Sequence, residues 1–133
     1  MNFSSVRIIT ADVDRLVRFY GTITGIPVTR YTDDFAELRT PIGTLAIAGR
    51  STLALFGGLD VAYAADKRAV IIEFRVDDVD STYHQLTGFL AESLVQKPTT
   101  MPWGNRSLLF KDPDGNLVNF FTPLTPEALK RAE

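Results

Sequence analysis

The tripeptide Asp-Val-Asp stands twice in this chain, at 12–14 and at 78–80, 66 residues apart in a sequence of 133. Each copy follows a β-branched apolar run, VRIITA before the first and VIIEFRV before the second. Each also precedes a helix-like stretch, RLVRFYGTITG and STYHQLTGFL. A second echo comes later in both halves: TPIGTLA (40–46) resembles DPDGNLV (112–118), at a spacing of 72. Two echoes in the same order, at a period near half the chain, mean that one local plan is built twice.

That plan reads as strand, helix, then three strands. In the first half a strand covers about 4–10 and a helix about 13–24, with Asp12 as its N-cap. Val13, Leu16, Val17 and Tyr20 recur at helical spacing, and Gly25 follows as a stop. Strands near 27–32, 34–40 and 44–49 form a meander whose turns are TDD and TPIG. The segment RSTLALFGGLDVAYAADKRA reads as an irregular link to the second half. There the plan repeats, with a strand near 69–76, a helix near 79–90 capped by Asp78, and strands near 92–97, 105–111 and 116–122. In the DPDG turn Pro113 presets φ and Gly115 accepts the positive φ that follows. Thr125-Pro126-Glu127 supplies an N-cap, a proline at the first helical position and an acid in the first turn, so a closing helix is expected.

Composition excludes more than it assigns. A net charge of −2 without a Lys/Arg block offers no footprint for nucleic acid. The absence of cysteine rules out disulfides and thiolate chemistry. No apolar run approaches the roughly 20 residues that span a bilayer, so no membrane partner is expected. MNFSSVRIITADVD lacks the basic, apolar and small-residue order of a secretory leader, which reads as a cytoplasmic protein. No catalytic Ser/His/Asp set or phosphate-binding glycine pattern is present.

The tandem plan, with FY at 19–20, TGI at 24–26 and PWGNRSLLFKDPDGNLVNFFTP at 102–123, resembles the vicinal oxygen chelate superfamily. This group includes glyoxalases, extradiol dioxygenases and bleomycin-binding resistance proteins. The resemblance implies an α+β fold of two tandem βαβββ modules forming a cupped mixed sheet. One domain then fills 1–133, with module one about 1–58, module two about 67–124 and the C-terminal helix about 125–133. It also implies a homodimer and, in the enzymes, one divalent metal held in the cup.

The resemblance places the metal ligands on the first strand of each module, seven residues before the capping Asp, and on the last strand, four after the turn glycine. Those positions are Ser5, Ile71 and Asn119, with Ile47 as the counterpart of Asn119 in module one. Divalent metals of this class take imidazole, thiolate or carboxylate. Ser and Asn are weak neutral donors and Ile is none. With a single histidine, His84 on the second helix, the chain cannot build a two-histidine site. No metal and no cofactor are therefore expected. Asn119, polar within the apolar run LVNFF, is either a ligand contact or a buried polar group bonded to backbone.

Strand alternation adds Arg7, Glu73 and Arg75 to the face that carries Ser5 and Ile71. Arg7 and Glu73 stand one module apart. Either they pair near the metal position, a guanidinium taking the place of the cation, or they are solvent-facing rim charges. Trp103 either stacks on a planar ligand or packs its own loop. Tyr31, Phe35, Phe56 and Phe121 serve as walls or as core. Asp33 and Asp34 lie at a hairpin, and Asp112 and Asp114 belong to a turn. The leading reading is a metal-free protein that sequesters a small, partly aromatic or anionic molecule. The alternative is a glyoxalase- or dioxygenase-like enzyme with Glu73 as base, and a third is a regulatory ligand sensor.

Overall fold

Asp12 and Asp78, which open the two echoes, each cap a twelve-residue helix. Asp12 Oδ1 accepts the Arg15 amide at 3.1 Å, and Asp78 Oδ1 accepts those of Asp80 and Ser81 at 3.1 and 3.2 Å. Each side chain thus satisfies amides that a helix start leaves without intrahelical partners. The computed structural model describes residues 1, 3–55 and 70–132. The chain divides into two units, Met1–Arg68 and Ala69–Glu133.

Unit one contains β1 (Ser5–Thr10), α1 (Val13–Thr24), β2 (Val28–Thr32), β3 (Phe35–Thr40) and β4 (Gly43–Gly49). Its sheet runs β1-β4-β3-β2, with β1 and β4 parallel and the remaining pairs antiparallel. Helix α1 stops where Gly25, at φ 67°, returns its amide to the Gly21 carbonyl at 3.0 Å. A short 3₁₀ turn covers Arg50–Leu55. The rest of the expected irregular link, with Phe56, lies outside the described residues.

Unit two repeats the topology with β5 (Ile71–Arg75), α2 (Val79–Leu90), β6 (Leu94–Thr100), β7 (Asn105–Lys111) and β8 (Leu117–Pro123). The sheet order is β5-β8-β7-β6, again with a parallel first pair. Helix α3 (Pro126–Arg131) follows, its N-cap Thr125 Oγ1 accepting the Ala128 amide at 3.1 Å. The chain thus has the tandem βαβββ order expected from its repeats and the α+β class that the resemblance implies.

Strand β6 differs from expectation, starting at Leu94 and running through Pro98 to Thr100 instead of covering 92–97. A proline removes a ladder donor and ordinarily ends a strand. Here β6 is an edge strand, where the lost donor is tolerated, and its register shifts between Gln96 and Thr99. Residues Ala91–Ser93 are taken by a 3₁₀ turn that enters at a positive φ of 42° on Ala91.

Each sheet buries the face toward its helix, and Ala46, Ala48, Ser107 and Asn119 are buried on the other. In unit one Ile8, Ala36, Leu38, Leu45 and Ile47 are buried, as are Leu16, Phe19, Tyr20 and Ile23 of α1, which lies against β3 and β4. In unit two the buried set is Leu108, Phe110, Val118 and Phe120, with Val79 and Leu90 of α2. Phe74, Phe120 and Phe110 stack edge to face there, at centroid distances of 5.6 and 5.1 Å. Among the described residues no helix is long and apolar enough to cross a membrane.

Candidate functional site

The opposite face of each sheet carries the polar residues that alternation singled out. Residues paired across a ladder point the same way, so a row can be read across unit two: Glu73, Asn119, Leu109, Gln96. Asn119 Nδ2 donates to Glu73 Oε2 at 2.7 Å. A carboxylate only accepts, which fixes the amide with its nitrogen toward Glu73. Glu73 is exposed, whereas Asn119 is only 7% exposed and its Oδ1 is buried without a hydrogen-bond partner. Above and below this pair on the same face lie Ile71 opposite Leu117, and Arg75 opposite Phe121.

The turn that delivers Asn119 is built by Asp112. Its Oδ1 accepts the amides of Asp114 and Asn116 at 2.9 and 2.8 Å, and its Oδ2 accepts Asn116 Nδ2 at 2.7 Å. Gly115 takes φ 86°. The two aspartates of DPDG are thus turn residues, as their spacing indicated.

The corresponding row in unit one reads Arg7, Ala46, Glu37, Thr29. It corrects one assignment. The counterpart of Asn119 is Ala46, not Ile47. Ile47 pairs with Ile8 and is fully buried on the helix side. The reason is loop length. In the first hairpin Thr40 pairs directly with Gly43, so that glycine already belongs to the ladder. In the second, Lys111 pairs with Leu117 and Gly115 stays in the turn. Counting from the glycine therefore overshoots by one, and one residue reverses the face.

The Arg7 guanidinium lies 5.1 Å over the Phe35 ring, and Tyr31 stands 5.9 Å from Phe35. Arg39 donates to Glu37 Oε1 at 3.3 Å. That bond, then the charge of Glu37, holds the Arg39 guanidinium above its usual range. Ser5 opens β1 opposite Thr44 and is exposed. The expected pairing of Arg7 with Glu73 concerns residues of different units. Within its own unit each has a defined neighbour, Phe35 for Arg7 and Asn119 for Glu73.

Two further candidates are tied to the C-terminal segment. Arg75 Nη1 donates to the Ala132 carbonyl at 3.1 Å, and the Trp103 carbonyl accepts Arg131 Nη2 while its side chain is exposed. His84 is exposed on α2 beside Tyr83. Leu109 and Ser107, which share the open face with Asn119 and Phe121, were missed in the sequence. Alternation along β7 is legible, but nothing local says which of its faces meets Asn119.

A divalent cation does not fit these donors. The ligand positions that the resemblance assigns, with Ala46 in place of Ile47 by register, hold Ser5, Ala46, Ile71 and Asn119, none of them imidazole, thiolate or carboxylate. Glu73 adds one carboxylate, already bonded to Asn119. Among the described residues no three of His, Cys, Asp or Glu converge as a metal site.

The family model of the Glyoxalase/Bleomycin resistance protein/Dioxygenase superfamily matches residues 2–120. The chain belongs to this superfamily. It is 26% identical over 131 residues to the uncharacterized protein YraH of Bacillus subtilis, covering 93% of this chain and all of that one. Among solved structures, a glyoxalase/bleomycin resistance protein/dioxygenase family enzyme from Burkholderia phytofirmans superposes with a TM-score of 0.79 at 19% identity, covering 93% of this chain and 100% of the other. A glyoxalase/bleomycin resistance protein/dioxygenase from Nocardioides gives 0.76 at 22% identity, covering 95% and 85%. At these identities the structures speak for the glyoxalase fold alone, because one scaffold hosts many chemistries.

Proposed function

We propose that this member of the glyoxalase/bleomycin resistance superfamily is a cytoplasmic protein that binds a small, partly aromatic molecule, makes and breaks no bond, and uses no metal. One observation carries the reading. At the last-strand position where the superfamily's enzymes place a metal-binding carboxylate, an amide, Asn119, is bonded to Glu73. The same face of unit two also carries apolar residues, Ile71, Leu109, Leu117 and Phe121. Apolar walls with a few placed polar groups suit small-molecule recognition.

The test is a ligand-observed NMR screen of aromatic amines, amidines, carboxylates and phenols against the full chain in EDTA. The expected result is binding by at least one class, with the Asn119 side-chain amide resonances shifting. Binding that requires added Mn²⁺ or Zn²⁺ would overturn the proposal. So would turnover of a glutathione hemithioacetal or a catechol.

A further inference from the structure

We infer that the Glu73–Asn119 pair anchors a cationic head bearing at least two N–H donors, an amidinium, guanidinium or ammonium group on an apolar or aromatic body. This inference rests on the binding reading above and deepens it. The pair is one-sided in its chemistry. Asn119 uses its Nδ2 on Glu73 Oε2, which leaves Asn119 Oδ1 without any donor and Glu73 Oε1 as a further acceptor.

A buried carbonyl lacking a donor costs about 1–3 kcal/mol, so a fold that retains one is poised to accept a donor from outside. Asn119 is the inner member of the pair and Glu73 the exposed, outer one. An incoming cation therefore meets the carboxylate first, and its second N–H reaches the amide as the Glu73 side chain moves aside. A planar fork of two N–H groups matches two such acceptors and gains the strength of a charge-assisted bond. A carboxylate or phosphate would present only acceptors to acceptors and be rejected.

The charged neighbours do not add to this preference, which rests on the acceptors of the pair itself. Two basic residues share this face, Arg75 and Lys111. Arg75 directs its guanidinium to the Ala132 carbonyl. Lys111 pairs with Leu117, two residues along and two strands across from Glu73. That is on the order of 10 Å from strand spacing and rise, beyond the screening length of about 8 Å at physiological salt. The remaining neighbours, Ile71, Leu109, Leu117 and Phe121, offer an apolar body its contact.

Calorimetric titration of the full chain in EDTA with three isosteric probes, benzamidinium, benzamide and benzoate, tests the assignment. Benzamidinium is expected to bind about ten-fold tighter than either of the others, one charge-assisted hydrogen bond's worth of discrimination. That preference should vanish in Glu73→Gln, a substitution at an exposed position that leaves the core intact. Asn119→Leu should weaken benzamidinium binding with the circular dichroism unchanged. Benzoate binding as tightly as benzamidinium would overturn the inference while leaving the binding reading standing. So would a preference that survives Glu73→Gln. Failure of every compound of the wider screen to bind without metal would remove both.

Discussion

Arg106 reaches from β7 to the first turn of α2 and grips Asp80 with two bonds, Nε to Oδ2 at 2.8 Å and Nη2 to Oδ1 at 3.0 Å. The fork joins helix to sheet on the packed side of unit two. Asp80 raises the Arg106 guanidinium further above its usual range, chiefly by the side-chain bond. The side chains remain 31% and 48% exposed, so solvent screens the pair. Arg106→Met is expected to lower the urea midpoint modestly at 20 mM salt, with most of the difference gone at 1 M. A deficit that does not shrink with salt would mean that the stem of Arg106 matters through packing and not through charge.

The α2 cap makes a pH-dependent contribution. Backbone and then side-chain hydrogen bonds from Ser81 hold the Asp78 carboxyl below its ordinary range. A carboxyl with a folded pKa below its unfolded value of about 3.9 stabilises the protein above that pH, and the contribution disappears as pH falls through the folded value. Asp78→Ala should therefore be less stable than the parent at pH 7, with the two denaturation curves converging as pH falls through the folded value. Equal spacing of the curves at every pH would assign the loss to helix propensity instead.

Ile47 serves as a direct check on the strand register. It is wholly enclosed beside Ile8. Ile47→Ala is expected to cost about 2–5 kcal/mol in chemical denaturation. A cost under about 1 kcal/mol, as at an exposed position, would show that Ile47 is not enclosed.

Gly104 is required by its backbone and by its neighbour. It sits at φ 94°, and a Cβ there would overlap the Thr125 side chain that caps α3. Gly104→Ala should destabilise by about 1–3 kcal/mol and loosen α3, visible as faster amide exchange at Ala128. Unchanged exchange would show that the cap tolerates the displacement.

Asn119→Leu tests the orphan carbonyl from the stability side. Removing both polar atoms of an incompletely bonded buried amide should leave the protein as stable or about 1 kcal/mol more stable, measured without ligand. Stability exchanged for recognition is what a binding residue shows. A loss of more than about 2 kcal/mol would make the Asn119–Glu73 bond structural.

Much of this molecule was legible before any coordinates. The caps Asp12, Asp78 and Thr125, the stop at Gly25 and the Asp112-to-Gly115 turn all act over four residues or fewer, and their chemistry is local. The alternation that set Ser5, Arg7, Ile71, Glu73 and Arg75 on one face is equally local, and the burial of β1 and β5 follows it. The repeat itself announced two βαβββ units. Strand β6 starts and ends later than its sequence reading, because Ala91–Ser93 form a 3₁₀ turn and Pro98 is tolerated at the sheet edge.

Which residues face one another across a ladder was decided only in three dimensions. Ala46 rather than Ile47 lies beside Arg7, and Leu109 lies beside Asn119, because strands far apart in sequence dock in a register that depends on hairpin length and on burying one face. The same pairing turned Glu73 and Asn119 into a bonded couple 46 residues apart with one carbonyl left over. The chain alone thus determined its elements and the lack of metal-binding side chains at the ligand positions. Tertiary packing determined what stands there instead, since a hydrogen bond between two strands exists only once both have been placed.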